Sequence, residues 1–225
     1  MYEDRVSYED REKGAAVGLG REPPGEDLGR IISLSDGVFA FALTLLVIGL
    51  TVPSVTGSSD AQTSHLLWTA LRGDWQKFLG YAFAFVMITL WWMNHHRTFR
   101  YIRRYDFVLM WLNMLVLLEI AVMPFVLQVY TAYSPTQTAV VLFAFMQAVT
   151  GATLNVLWRY AANGHRLIDP KLPADEIRYF SNRGILPAAA FAASIAVSFV
   201  NVPLAEYCWV VPLILGRFAH RYGVG

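Results

Sequence analysis

The sequence predicts an all-α, polytopic membrane protein with six transmembrane helices, and three observations carry that prediction. Of its 225 residues 56% are apolar and 16% charged, a balance too apolar for a soluble domain of this length. Apolar runs long enough for a bilayer core, which takes roughly 20 residues of helix, recur six times between polar or Pro/Gly-rich breaks. Lysine and arginine are spread very unevenly over those breaks. The single cysteine, Cys208, excludes an internal disulfide, offers no zinc or redox spacing, and reads as small apolar filler.

Residues 1–29, "MYEDRVSYEDREKGAAVGLGREPPGEDLG", are polar, with an imperfect YEDR repeat at Tyr2 and Tyr8 and no apolar run of the kind a secretory signal needs. Such a composition buries too little apolar surface to fold, so a disordered cytoplasmic tail is expected there. Residues 30–222 form the expected six-helix domain.

The first span, Arg30–Val52, opens with Arg30, Ser35 and Asp36, groups that are costly in hydrocarbon. Arg30 and Asp36 stand six residues apart, about 120° around a helix, so each is expected to meet a different neighbour. The outer loop that follows is expected to hold a surface helix over Ser64–Leu71, with Trp68 and Trp75 at the interface. The second span, Gln76–Phe99, places Trp92, His95, His96 and Phe99 at i, i+3, i+4 and i+7, one helical face.

The third span, Asp106–Tyr130, carries Asn113, Glu119 and Pro124 deep in its length. The fourth is Thr136–Tyr160. The fifth, Tyr179–Asn201, contains "GILPAAAFAASIAVSF", whose small residues allow close helix approach. The sixth, Pro203–Tyr222, follows a very short turn around "NVPLAE".

Sixteen of the 18 basic residues fall in the segment through Arg30, the second-to-third and fourth-to-fifth connections, and the C-terminal end. Only Arg72 and Lys77 lie on the other side, which places both termini in the cytoplasm by the positive-inside rule. Neither long loop is large enough to fold as a catalytic domain. No nucleophile–base pair or metal-ligand spacing is visible, so no catalytic residue, no metal and no nucleic-acid partner are expected and the chain does not read as an enzyme.

The polar set His95, His96 and Asn113 reads first as a hydrogen-bonded network locking helices together, and as the natural partners of Arg30 and Asp36. A pH-sensing role for the histidines is the sharper alternative. Adjacent histidines point about 100° apart on a helix, which argues against a metal site.

These residues carry a resemblance. "RIISLSDGVFAFALTLLV" resembles the first-helix signature of the transmembrane protein 175 family, the lysosomal potassium channel and its bacterial relatives. The pattern is Arg, three variable residues, then Phe-Ser-Asp, and stands here as Arg30, Leu34, Ser35 and Asp36, with Leu in place of Phe. "WMNHHRTF", "WLN", "MPF" and the basic "YIRRYD" linker are also similar to the bacterial members, so the likeness runs with specific motifs from Arg30 to Pro124.

The resemblance implies one six-helix repeat per subunit and a homotetramer in the cell membrane of a prokaryote, with the first helix of each subunit lining a central pore. It implies passive permeation of potassium, other monovalent cations being left open, and no cofactor. Carried over by position, the constriction falls on Phe41, the hydroxyl contact on Thr44 and the lower apolar positions on Leu45 and Ile48. Phe41 departs from the usual Ile or Leu and Gly49 from a frequent Glu. Taken without the resemblance, the same stripe would read as helix-packing core. The competing function is a proton-linked secondary transporter with Asp36, His95, His96 and Glu119 as its relay, against which stands the lack of a visible inverted repeat.

Overall fold

The computed structural model describes residues 24–210, whose regular elements are all helices, with no strand among them beyond one isolated bridge between Ile102 and Ile168. Helix α1 spans Pro24–Leu45 and tightens into a 3-10 turn over Leu46–Gly49. It begins before the expected start at Arg30, on a proline whose fixed φ and missing N–H suit a first helical turn. The expected α-helix through Val52 is not continuous: regular helix stops at Leu45, and the chain is extended from Leu50.

The surface helix of the outer loop, α2, is longer than expected, Asp60–Gly73. The Ser59 hydroxyl accepts from the Gln62 N–H at 3.3 Å and the Gln62 side chain returns to the Ser58 N–H at 2.9 Å, satisfying donors that a helix start leaves unpaired. It buries no residue. Helices α3, Trp75–Tyr101, and α4, Phe107–Tyr133, are the second and third expected spans. Helix α5, Gln137–Ala162, and α6, Ala174–Ser198, are the fourth and fifth. Helix α7, Val202–Tyr207, with a 3-10 turn over Cys208–Val210, covers only the start of the expected sixth span; residues 211–222 of that span, and residues 1–23 of the expected tail, lie outside the described residues.

Among the described residues four stretches are long and apolar enough to cross a membrane: Leu28–Gly49, Phe107–Tyr133, Gln137–His165 and Ala174–Ser198. Helix α3 has the length, 27 residues, but its last third carries His95, His96, Arg97 and Arg100, which dilutes its apolarity.

Helix α4 is the centre of the bundle and packs against α1, α3 and α5, with Ile120, Met123 and Leu127 fully enclosed. Helix α5 lies between α4 and α6. The small residues expected to bring the fifth span close do so: a Cβ added at Gly151 of α5 would come within 3.2 Å of both the Ala188 Cβ of α6 and the Trp91 ring of α3. At one end of the bundle Phe143 stacks on Tyr130 at 4.7 Å and meets Trp209 at 4.6 Å, so α4, α5 and the start of the last segment share one aromatic cluster.

At the other end, the connections between α3 and α4 and between α5 and α6 are joined to each other. The Leu167 carbonyl accepts from the N–H groups of Arg103 and Arg104 at 2.8 and 3.1 Å. Asp106 caps α4 through the Leu109 N–H at 2.9 Å, accepts from the Tyr160 hydroxyl at 2.6 Å and pairs with Arg166 at 3.1 Å. One carboxylate thereby fixes two loops to one helix end.

Candidate functional site: the first helix and its anchors

Helix α1 has two unlike faces. Ser35, Phe39, Ala42 and Leu46 are buried, a spacing of i, i+4, i+7 and i+11 that seats one side of the helix against α3 and α4. On the opposite side Phe41 is 63% exposed and Ile48 69%, with Thr44 exposed and Leu45 half-buried.

The buried face is held at its polar end by a directional chain. The Asn113 amide, fully buried, donates to the Ser35 hydroxyl at 3.0 Å, and Ser35 in turn donates to the Ile31 carbonyl at 2.9 Å. With its N–H₂ so committed, Asn113 offers its oxygen to His95 Nε2 at 2.8 Å, which requires the proton on that ring nitrogen. His95 is stacked on Phe99 with ring centres 4.4 Å apart and has Phe39 at 5.4 Å. An imidazole so enclosed contributes as a fixed donor.

Asp36 makes a separate bond, accepting from the Trp92 indole at 2.9 Å. This corrects the expectation that the histidines and Asn113 serve Asp36. Ser35 and Asp36 are neighbours about 100° apart on α1, so the first turns inward to Asn113 and the second sideways to the edge of α3. The expected single face Trp92, His95, His96 and Phe99 divides in the same way: His95 and Phe99 are buried, whereas Trp92 and His96 are exposed, their rings tilted against each other at 5.5 Å. Two adjacent i, i+4 pairs straddle a boundary that the sequence pattern drew as one face. Arg30 lies on the exposed side of α1.

The pore positions assigned by resemblance fall on the exposed side. The Thr44 hydroxyl donates to the Phe41 carbonyl at 2.8 Å, leaving the lone pairs of its oxygen available. Ile48 lies in the 3-10 turn, where side chains three apart eclipse, so it sits beneath Leu45 by a tighter geometry than the α-helical spacing assumed. Gly49 leaves room for α4: a Cβ there would meet the Gln128 side chain at 3.0 Å.

Sequence reasoning missed two buried bonds. The Trp91 indole donates to the Gln147 side chain of α5, and Glu119, 5% exposed, accepts from Thr153 at 2.7 Å with its second oxygen enclosed and without a hydrogen-bond partner. The tryptophan was hidden because "LWWM" gives two adjacent indoles and only the helix phase decides which is inside. Among the described residues no hydrogen bond joins Glu119 to Asp36, His95 or His96, so the relay imagined for a proton-linked carrier is not assembled by such contacts. No group of three His, Cys, Asp or Glu able to hold a metal ion comes together among them either.

Long apolar helices around a polar-anchored first helix define an integral membrane protein of the polytopic α-helical class. Residues 30–124 match the family model described as the endosomal/lysosomal potassium channel TMEM175. A potassium channel of Streptomyces collinus is 31% identical over 180 residues, covering 78% of this chain and 84% of that one. A potassium channel of Chamaesiphon minutus is 29% identical over 195 residues, covering 85% of this chain and 94% of that one. The crystal structure of a lysosomal potassium-selective channel TMEM175 homolog from Chamaesiphon minutus superposes with a TM-score of 0.68 at 26% identity, covering 88% of this chain and 100% of that one. The chain belongs to the TMEM175 family and is an ion channel.

Proposed function

We propose that this protein is a potassium-preferring cation channel of the cell membrane, a homotetramer whose central pore is lined by α1, with both termini in the cytoplasm. The observation that carries the reading is the bare apolar stripe of α1, where a 63% exposed phenylalanine lies on a helix whose other face is fully engaged. Such a stripe in a lone subunit asks for copies of itself or for a dewetted passage. The relatives named above as potassium channels support the ion.

In a four-fold arrangement Phe41 supplies an aromatic ring at the constriction, with Leu45 and Ile48 as apolar rings below it. Thr44 presents an oxygen whose proton is already committed to the Phe41 carbonyl, so each hydroxyl faces a cation as an acceptor. Arg30, Ser35, Asp36, Trp92, His95, His96 and Asn113 belong to the head that sets the position of α1, within which Asn113 bonds Ser35 and His95, and Trp92 bonds Asp36.

Purified protein in planar bilayers under opposed potassium and sodium gradients tests this. Unitary currents far above carrier turnover, a reversal potential displaced toward potassium, and a larger conductance in Phe41→Ala are expected. Ion movement only by slow, proton-coupled uptake, abolished in Asp36→Asn, would overturn the channel mechanism. Cross-linking in native membranes is expected to end at four subunits.

A further inference from the structure

A cavity of about 510 Å³ lies between α3 and α6, floored by α5, apart from the α1 face that serves the proposed pore. Its walls are graded. Phe83, Met87, Trp91 and Phe191 supply apolar and aromatic wall, Glu206, which accepts from the Tyr130 and Ser134 hydroxyls, lines it beside Tyr130 and Trp209, and Arg97, Thr98 and Arg183 stand where the last turns of α3 meet the first half of α6. Leu90 and Met93, both substantially exposed, border it, so apolar side chains frame the opening. This is the end of the bundle where the basic connections lie.

Neither guanidinium at that end has a carboxylate partner among the described residues. Arg183 donates to the Tyr179 hydroxyl at 2.9 Å, and both arginines are only half-buried. Two arginines at the mouth of an aromatic and aliphatic slot, inside a membrane protein, match an amphiphile with an anionic head. The other candidate occupant is the stretch of residues 211–225 of the same chain. That stretch, "VPLILGRFAHRYGVG", carries Arg217 and Arg221 and no acidic side chain, so it would bring like charge to the arginines.

We propose that this cavity is a lipid site, taking an acyl chain of an anionic phospholipid with its phosphate held between Arg97 and Arg183. The apolar part selects for a chain, and the paired guanidinium groups select for negative charge over a zwitterionic head.

Native mass spectrometry of the full chain, titrated with phosphatidylglycerol or phosphatidylcholine, tests the assignment. Preferential retention of phosphatidylglycerol is expected, with a roughly tenfold or larger loss in Arg97→Gln/Arg183→Gln, as suits the removal of charge-assisted hydrogen bonds, and substantial retention in Arg97→Lys/Arg183→Lys. Equal retention of the two lipids, or a Gln double variant that binds like the wild type, overturns it. A measurement on unaltered protein stands beside these: phosphatidylglycerol with brominated chains is expected to quench tryptophan emission more than brominated phosphatidylcholine, because Trp91, Trp158 and Trp209 line the cavity. Equal quenching overturns the site. Efficient disulfide formation between Met87→Cys and Leu213→Cys in a Cys208→Ser background would give the cavity to the chain's own C-terminal segment and likewise overturn it.

Discussion

The indole of Trp92 donates to the carboxylate of Asp36 across 2.9 Å, and this bond ties the rim of α1 to α3 while the inner bond, from Asn113 to Ser35, ties it to α4. Replacement of Trp92 by Phe keeps most of the ring and removes only the donor. A loss of about 1 kcal/mol in stability is expected, small because the site is partly exposed. It is read as a modest drop in the thermal midpoint of the detergent-solubilised protein. A midpoint unchanged in Trp92→Phe but lowered in Asp36→Asn would assign Asp36 to some other partner.

Asn113→Leu should cost more. It strands the His95 N–H and withdraws the donor to Ser35 inside a fully buried pocket, at about 1–3 kcal/mol for each unsatisfied group. Ser35→Ala leaves the His95 to Asn113 bond standing and should cost about 1 kcal/mol. Thermal midpoints of the two single variants and the double variant form a cycle, and strict additivity would show that the three side chains do not act as one chain.

Gly151→Leu is expected to lower folded yield sharply and reduce the thermal midpoint. The added side chain meets Ala188 and Trp91 at van der Waals limits already reached by a Cβ, so α5 and α6 must separate, at about 1–3 kcal/mol for an overpacked core. Gly151→Ala, a smaller intrusion, should fall between the two. Similar retention times and midpoints for all three proteins would refute the close approach.

Acid should loosen the end of the bundle held by Asp106. Desolvation raises this carboxyl, but hydrogen bonds from Tyr160, the Leu109 N–H and Arg166, with the charge of Arg166, outweigh it and hold the group below its ordinary 3.8. A depressed folded value means that the stabilisation is complete above the ordinary value and disappears as pH falls through the lower one. Thermal midpoints followed from neutral pH into acid should show that fall in the wild type and a flatter profile in Asp106→Asn. Parallel profiles would remove Asp106 as its source.

The spans were legible in this sequence because a bilayer demands long apolar runs: the second, third and fourth expected segments coincide with long helices to within about three residues at each end, the fifth starts five residues early, and the first is displaced by six residues at its start and broken after Leu45. The sixth is described only at its start. Partners within the site were legible by type rather than by pairing. Asn113 and His95 had to be bonded to something, yet whether Ser35 or Asp36 faced Asn113 depended on a rotation of about 100° that no local pattern encodes. Phe41, Thr44, Leu45 and Ile48 were placed by resemblance, and the periodicity alone fitted burial equally well; the exposure of Phe41, Thr44 and Ile48, with Leu45 half-buried, emerges only once α3 and α4 occupy the other side of α1. The Asp106 junction joins residues 60 positions apart and left no mark in the local sequence.

The distribution of bonds along α1 has a mechanical consequence. Ser35 and Asp36 carry directional hydrogen bonds from α1 to α4 and α3, whereas Phe39, Ala42 and Leu46 further along hold it by apolar contact. The helix is therefore a lever tied by directional bonds near Ser35 and Asp36 and bearing Ile48 about 18 Å beyond Asp36 at the rise of an α-helix. A tilt of about 5° at those bonds displaces Ile48 by about 1.5 Å by the same geometry, comparable to the radius of a bare monovalent cation. Small adjustments at the Asn113 amide and the Trp92 indole are in this way magnified at Ile48.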